Sequence, residues 1–224
     1  MNRRLFHILS AALIGSASLW GGAAMAQQVE APDAMIKRLS TELLDIVRKD
    51  PGLKAGDVTQ VMSVVNEKVM PHVNFARMTA STIGPSWRNA TPQQRTQLQD
   101  AFKNLLVRTY AGALRQVGNQ TLAVRPLRAA PSDTEVVVNS ELQGGQAGPV
   151  QLDYRMQKMA DGWKVYDINV MGVWMADSYR SQFAQVVNNS GIDGLIKQLN
   201  EQAARQGTSA PAAAAAKPLS LIHI

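Results

Sequence analysis

The chain has no cysteine at all among its 224 residues. That excludes disulfides, a cysteine nucleophile and any thiolate metal site, so the fold rests on a hydrophobic core. Histidine is nearly absent too: His7, His72 and His223 are the whole supply. His7 lies in the first residues and His223 in the last few, which leaves His72 for the body of the chain. One histidine is too few for a histidine-based zinc site, and a Ser-His-Asp triad would have to be built around it. Its position after Pro71 near a helix end reads as a surface or terminal group, so neither catalytic residues nor metal ligands are assigned. There is no glycine-rich phosphate loop; Gly144-Gly145 and Gly148 fall between strands and are turn residues. There is also no block of Lys or Arg of the kind that marks nucleic-acid binding.

Charge is mildly basic. Without Arg3 and Arg4, 21 Lys and Arg stand against 17 Asp and Glu, a net of +4 dispersed along the chain. The two N-terminal arginines, the short apolar stretch Leu5 to Trp20 and the small residues around Ala24-Met25-Ala26 predict a secretory signal peptide over residues 1–26, cleaved before Gln27. The apolar stretch is shorter than the roughly 20 residues a membrane span needs. Export makes the expected product periplasmic or secreted. The remaining 27–206 is long enough for one domain. From Gly207 the chain is Ala- and Pro-rich low-complexity sequence, expected to be disordered. Its last six residues, Leu219 to Ile224, are abruptly apolar and match a translated sequencing adapter, so no function is given to them.

Periodicity predicts helices first. Asp33 to Asp50 carries Ile36, Leu39, Leu43, Ile46 and Val47 on one stripe and ends at Asp50-Pro51-Gly52. Asp57 caps a second helix that stops before Pro71, and Asn74 caps a short third one. Thr91-Pro92-Gln93-Gln94 holds a cap, a first-turn proline and a capping box, and opens a long helix running to about Val117. The period then changes. Leu122 to Leu127, Glu135 to Leu142, Val150 to Met159 and Trp163 to Val173 read as four strands. Two closing helices are predicted at Asp177–Val187 and Ile192–Gln206. The expectation is an α+β domain: a curved antiparallel sheet of about four strands packed with N-terminal, central and C-terminal helices around a cavity. By strict alternation the last strand is apolar on both faces, with Val165 on one and Tyr166, Ile168 and Val170 on the other. Asp161 and Asp167 near the hairpin read as turn and surface acids.

Several segments together resemble the MlaC family of periplasmic phospholipid-binding, or toluene-tolerance, proteins. They are PHVNFAR (Pro71 to Arg77), Gly84, Trp87, Ala90 to Arg95, WKVYD (Trp163 to Asp167) and YRSQF (Tyr179 to Phe183). The resemblance covers roughly Asp33 to Gln202. It departs from the family pattern at Met171 to Met175, where an acidic residue and a serine are expected in many members. The resemblance implies a nuclear-transport-factor-like sheet with helices, and a phospholipid cargo instead of a cofactor. It implies shuttling between an outer-membrane lipoprotein–porin complex and the substrate-binding subunit of an inner-membrane ABC transporter, which maintains lipid asymmetry. A hopanoid or other lipid carrier, or a periplasmic enzyme of cone-shaped fold with Asp153, Asp167 or His72 turned inward, are the alternatives. On the carrier reading the expected pocket lining is Phe75, Met78, Phe102, Leu106, Tyr110, Val138, Leu152, Tyr154, Met156, Val165, Ile168, Val170 and Trp174. Trp87 and Trp163 are further candidates for its wall. Eight methionines outside the signal segment suit a wall that adapts to variable chains. Arg77, Arg88 and Arg95 are the expected docking surface.

Overall fold

The computed structural model describes residues 30–208 apart from 128, 131 and 147. The predicted signal peptide, the tail beyond residue 208 and its final apolar stretch lie outside the described residues. Helix α1 spans Pro32–Lys49, with proline in its first turn and Arg48 and Lys49 in its last, both favourable for the helix dipole. It does not simply end at Asp50. The Asp50 carboxylate accepts from the backbone of Gly52 and Leu53 and starts the short α2, Pro51–Lys54. Asp57 caps α3, Val58–Val64, which widens into π-helical turns over Val65–Val69 and tightens into a 3-10 turn at Met70–His72. Asn74 caps α4, Phe75–Ile83. The complete capping box of Thr91 and Gln94 opens α5, Pro92–Tyr110. That helix stops seven residues short of the expected Val117, because Ala111–Gln116 tightens into 3-10 geometry.

The sheet has five strands in simple meander order, all antiparallel: β1 Thr121–Val124, β2 Glu135–Gln143, β3 Val150–Met159, β4 Gly162–Val170 and β5 Val173–Trp174. The fifth strand arises because the expected Trp163–Val173 strand folds back on itself. Met171 and Gly172 both take positive φ (52° and 90°), the two-residue hairpin geometry that matches strand twist. Gly172 adopts it freely, whereas Met171 bears the strain of a bulky residue there. Helix α6, Met175–Thr208, follows directly, broken at Gly191 (φ 69°), where two separate helices were expected.

A bulge decides which residues share a face. Val165 pairs with Met156, but Asp167 pairs with Arg155, so Tyr166 is an extra residue in β4. Directly paired side chains lie on the same face. Trp163, Val165, Ile168 and Val170 therefore share one face with Val136, Val138, Leu152, Tyr154 and Met156. The expectation that Val165 opposes Ile168 and Val170 assumed unbroken alternation and is corrected by this bulge. Met35 and Ile36 of α1 pack on this apolar face, forming one core with Val136, Val138, Met156, Trp163 and Val165. A second core joins Phe75, Met78, Ile83, Leu98, Phe102, Phe183, Leu195 and Leu199 of α4 to α6, and Ile168 and Val73 pack against both. A third joins Val47 and Leu53 to Val61, Val107 and Ala111.

The opposite face is polar, and one of its acids organises the next helix. Asp167 is 1% exposed, not the surface group expected. Its Oδ1 accepts from Ile168 N–H (2.9 Å) and Ala176 N–H (3.1 Å), and Oδ2 accepts from Arg155 (3.1 Å). The carboxylate thus caps α6 from a neighbouring strand. Burial holds the Asp167 carboxyl above its ordinary value, against the lowering pull of those two backbone donors and Arg155.

Two consequences are measurable. Asp167→Ala should cost about 1–3 kcal/mol in denaturant unfolding, since it leaves the N–H groups of Ala176 in α6 and Ile168 in β4 without that acceptor. Asp167→Asn keeps an oxygen there and should cost less. A carboxyl whose folded pKa is raised binds its proton more tightly in the folded state. Wild-type stability relative to Asp167→Asn should therefore rise as pH falls from neutral toward the ordinary value of 3.8. A fall over that interval would contradict the burial argument.

Candidate functional site

The apolar sheet face is covered unevenly, and the strand register resolves it into rows. In the first row Val136 (9% exposed), Met156 (0%) and Val165 (4%) are sealed by α1. In the second, Val138 is buried while Tyr154 and Ile168 are half-buried. In the third, Ser140 is buried, Leu152 is half-buried and Val170 is 41% exposed. Leu142 and Val150 continue the apolar wall half-buried. Coverage thus falls along β3 and β4 toward the β4–β5 hairpin, where Met171 is 60% exposed. On the helical side Leu106 packs half-buried on the same cluster as Ile168. Tyr110, 40% exposed, brings its hydroxyl 3.9 Å from the Met175 sulfur at the start of α6. The arrangement is an apolar wall closed at one end and open at the other, with no reactive group on it.

The expected lining residues divide accordingly. Leu106, Tyr110, Leu152, Tyr154, Ile168 and Val170 are the incompletely covered members. Val138, Met156 and Val165 are closed core beneath α1. Phe75, Met78 and Phe102 belong to the packed helical core. Phe102 stacks on Phe75 at 5.8 Å and meets Tyr179 and Phe183 edge-on at 5.3 and 5.5 Å, leaving no open side. Trp174 is on the other face of the sheet: it pairs with Asn169, and the Arg155 guanidinium lies 3.7 Å over its ring. Trp163 is core, and Trp87 lies half-buried under Arg95. Sequence reasoning passed over Ser140 and Ser40, which lie near the Tyr154 phenol. The i, i+2 pattern Val136, Val138, Ser140, Leu142 contained the first of them.

The acids that an enzyme reading would need sit on the polar face and are fully engaged. Asp153 accepts from Asn139 (2.9 Å) and Gln151 (3.0 Å), and Asp167 caps α6. His72 is half-buried in the 3-10 turn; burial first, then the nearby Arg38 and Lys164, hold its pKa below the ordinary value. Among the described residues no cluster of three or more His, Cys, Asp or Glu is placed to hold a metal. No helix among them is long and apolar enough to cross a membrane.

The three arginines do not form one surface. Arg77 spans the polar sheet face: it pairs with Glu135 at 2.7 Å, donates to Gln157, and lies 3.6 Å over the Tyr166 ring. Arg95 is half-buried, donates to the Arg88 carbonyl (3.2 Å) and sits 5.4 Å from the Trp87 ring. Arg88 is exposed. Two open surface grooves occur elsewhere. One of about 580 Å³ runs along the α1 face of Glu30, Lys37, Arg38, Glu42 and Asp45. Another of about 250 Å³ lies where Pro32 and Asp33 meet Leu127, Lys158 and Trp163. Neither coincides with the open part of the apolar wall.

Comparison with known proteins places this geometry. The MlaC protein family matches residues 37–201. The chain is 22% identical over 177 residues to the intermembrane phospholipid transport system binding protein MlaC of Haemophilus influenzae, covering 78% of this chain and 83% of that one. It is 24% identical over 165 residues to toluene tolerance protein ttg2D of Pseudomonas putida, covering 73% and 76%. A solved structure of a phospholipid-binding protein from Ralstonia solanacearum, in complex with a phospholipid, superposes with a TM-score of 0.76 at 43% identity. It covers 80% of this chain and 100% of that one.

The row-wise coverage predicts unequal responses to charge. Val138→Arg should destabilise by several kcal/mol, roughly 3 or more, because the cation has no exit from the core. Val170→Glu should change stability by about 1 kcal/mol or less, yet abolish binding of an apolar fluorescent dye to the open wall. Equal unfolding costs for the two, measured in urea, would remove the distinction between closed and open rows.

Proposed function

Since the chain belongs to the MlaC family, we propose that it is a periplasmic phospholipid-binding protein. It carries phospholipid between outer-membrane and inner-membrane complexes and so maintains outer-membrane lipid asymmetry. One observation carries the proposal: the apolar wall of Leu152, Tyr154, Ile168 and Val170, left incompletely covered in an otherwise closed core. Such a wall costs stability in water unless something covers it. Acyl chains are suited to that role, because each methylene removed from water contributes about 0.8 kcal/mol. The same arithmetic explains why a carrier is needed, since free phospholipid does not leave a membrane for water at useful rates. The relatives' names, which specify phospholipid binding and intermembrane transport, support the reading.

No bond is made or broken in this function. The head group stays in water at the open end, near Val170 and Tyr110, and the tails run toward the closed rows. Coverage of the tails by side chains without directional hydrogen bonds gives low specificity and permits release. The partners are an outer-membrane lipoprotein–porin complex and the substrate-binding subunit of an inner-membrane ABC transporter. Arg88, exposed beside Arg95, is the residue proposed to steer docking. Arg77 is not assigned that role, because its guanidinium is already held by Glu135 and Tyr166.

Native mass spectrometry of the protein purified from the periplasm should show one bound diacyl phospholipid. Lipid-free protein from cells with normal membranes, or a polycyclic lipid in the phospholipid's place, would overturn the assignment. Arg88→Glu should slow transfer to vesicles bearing the partner complexes and leave bound lipid unchanged, and added salt should mimic it, since exposed charges are screened beyond roughly 8 Å at physiological ionic strength. Arg77→Glu should instead lower stability. Transfer by Arg88→Glu at the wild-type rate across a salt series would move docking elsewhere.

A further inference from the structure

Tyr154 stands where the closed part of the apolar sheet face meets the open part. It is the central residue of the second row, paired with Val138 on β2 and Ile168 on β4. Behind it Met156 and Val165 are 0% and 4% exposed, packed under Met35 and Ile36. Ahead of it Leu152 is half-buried and Val170 is 41% exposed. Its side chain is the largest of those two rows on β3 and β4. Its hydroxyl is largely withdrawn from water, near Ser140 on β2 and Ser40 on α1, and burial holds the phenol pKa above its ordinary value. Ser140 is itself 2% exposed and donates to the Leu152 carbonyl at 2.8 Å. The ring is therefore anchored by its backbone in the sheet and by packing against the buried cluster of Met35, Ile36, Val138 and Met156. Swinging it aside would give up that packing, which resists the motion.

We infer that Tyr154 is the stop that sets how deep acyl chains run along the sheet, and hence that it determines chain-length preference. The inference rests on the phospholipid reading above and adds to it the residue that limits the cargo. A rigid aromatic crossbar suits the task better than a flexible aliphatic one, because it ends the pocket at one depth. The residues beyond it are already in contact with one another, so the pocket can lengthen only if the ring is removed.

The test compares wild type with Tyr154→Ala, Tyr154→Phe and Tyr154→Trp. Each is loaded from vesicles holding an equimolar mixture of short-, medium- and long-chain phosphatidylethanolamine, and the bound lipid is identified by mass spectrometry. Tyr154→Ala should shift the bound population to longer chains, by about fourfold in relative affinity for each methylene the deeper pocket accommodates. Tyr154→Phe keeps the ring and should retain the wild-type profile. Tyr154→Trp should shift the profile to shorter chains, and it keeps the test decisive if the alanine variant fails to fold. A merely structural role would lower stability or total occupancy but leave the chain-length ratio alone. Folded variants with the wild-type ratio would overturn the inference while leaving phospholipid binding intact. A wild-type protein that takes up no lipid would overturn both.

Discussion

The extra residue in β4 governs most of what this fold can do. A strand alternates its side chains strictly, so Val165 and Ile168, three apart, belong on opposite faces unless one residue is inserted between the pairings. Tyr166 is that residue. Its insertion keeps Trp163, Val165, Ile168 and Val170 on one apolar surface over the length of the strand. The same shift sends Asp167 to the polar face, where it reaches the first turn of α6. Tyr166 itself turns outward under Arg77 and donates to Glu135 at 3.0 Å. Without the bulge, either the apolar wall would be interrupted by a buried carboxylate or α6 would lose its cap.

How much of this was legible depended on the range of the interaction. Caps are local, and Asp57, Asn74 and the Thr91–Gln94 box all stand where the residue types predicted. Three of the four expected strands keep their places for the same reason, and Gly191 breaks the last helix in the interval left between two predicted ones. The fifth strand was missed because Met171 is an unusual residue for a left-handed hairpin position, where Asn or Gly would have signalled a turn. The faces of β4 were misassigned although a signal was present: apolar residues at 163, 165, 168 and 170 are spaced two, three and two. That interrupted spacing is what a bulge looks like in sequence. The division of the lining residues was not legible at all. Phe75, Met78 and Phe102 are as apolar as Leu152 and Val170. Only tertiary packing distinguishes a closed aromatic cluster from an open wall.

The two faces of the sheet solve opposite problems. On the polar face every buried charge is compensated: Asp153 by two side-chain amides, Asp167 by two backbone donors and Arg155, and Arg155 in turn by the Trp174 ring. Unpaired buried groups there would cost far more than the pairs contribute. That network holds β3, β4, β5 and the start of α6 in one geometry. On the apolar face the demand is reversed. On the proposed reading the wall accepts and releases a ligand, so it cannot be fully packed by the protein's own side chains, since a native core leaves few voids. The sheet therefore takes its rigidity from the polar side, and the apolar side is free to be incompletely covered.

Incomplete coverage carries a hazard, because an exposed apolar rim invites association between copies. Val170 and Met171 form part of that rim in this chain. Three features limit the hazard. The rim is short, confined to the end of β4 and the two-residue hairpin that follows it, instead of running along a flat strand edge. The chain carries a formal net charge of +6 with histidine neutral, which opposes self-association. The remaining rows are closed by α1, so the open surface does not extend into the core. A ligand that covers Leu152 and Val170 would shield much of this rim as well. On the proposed reading the loaded form is then the less adhesive one.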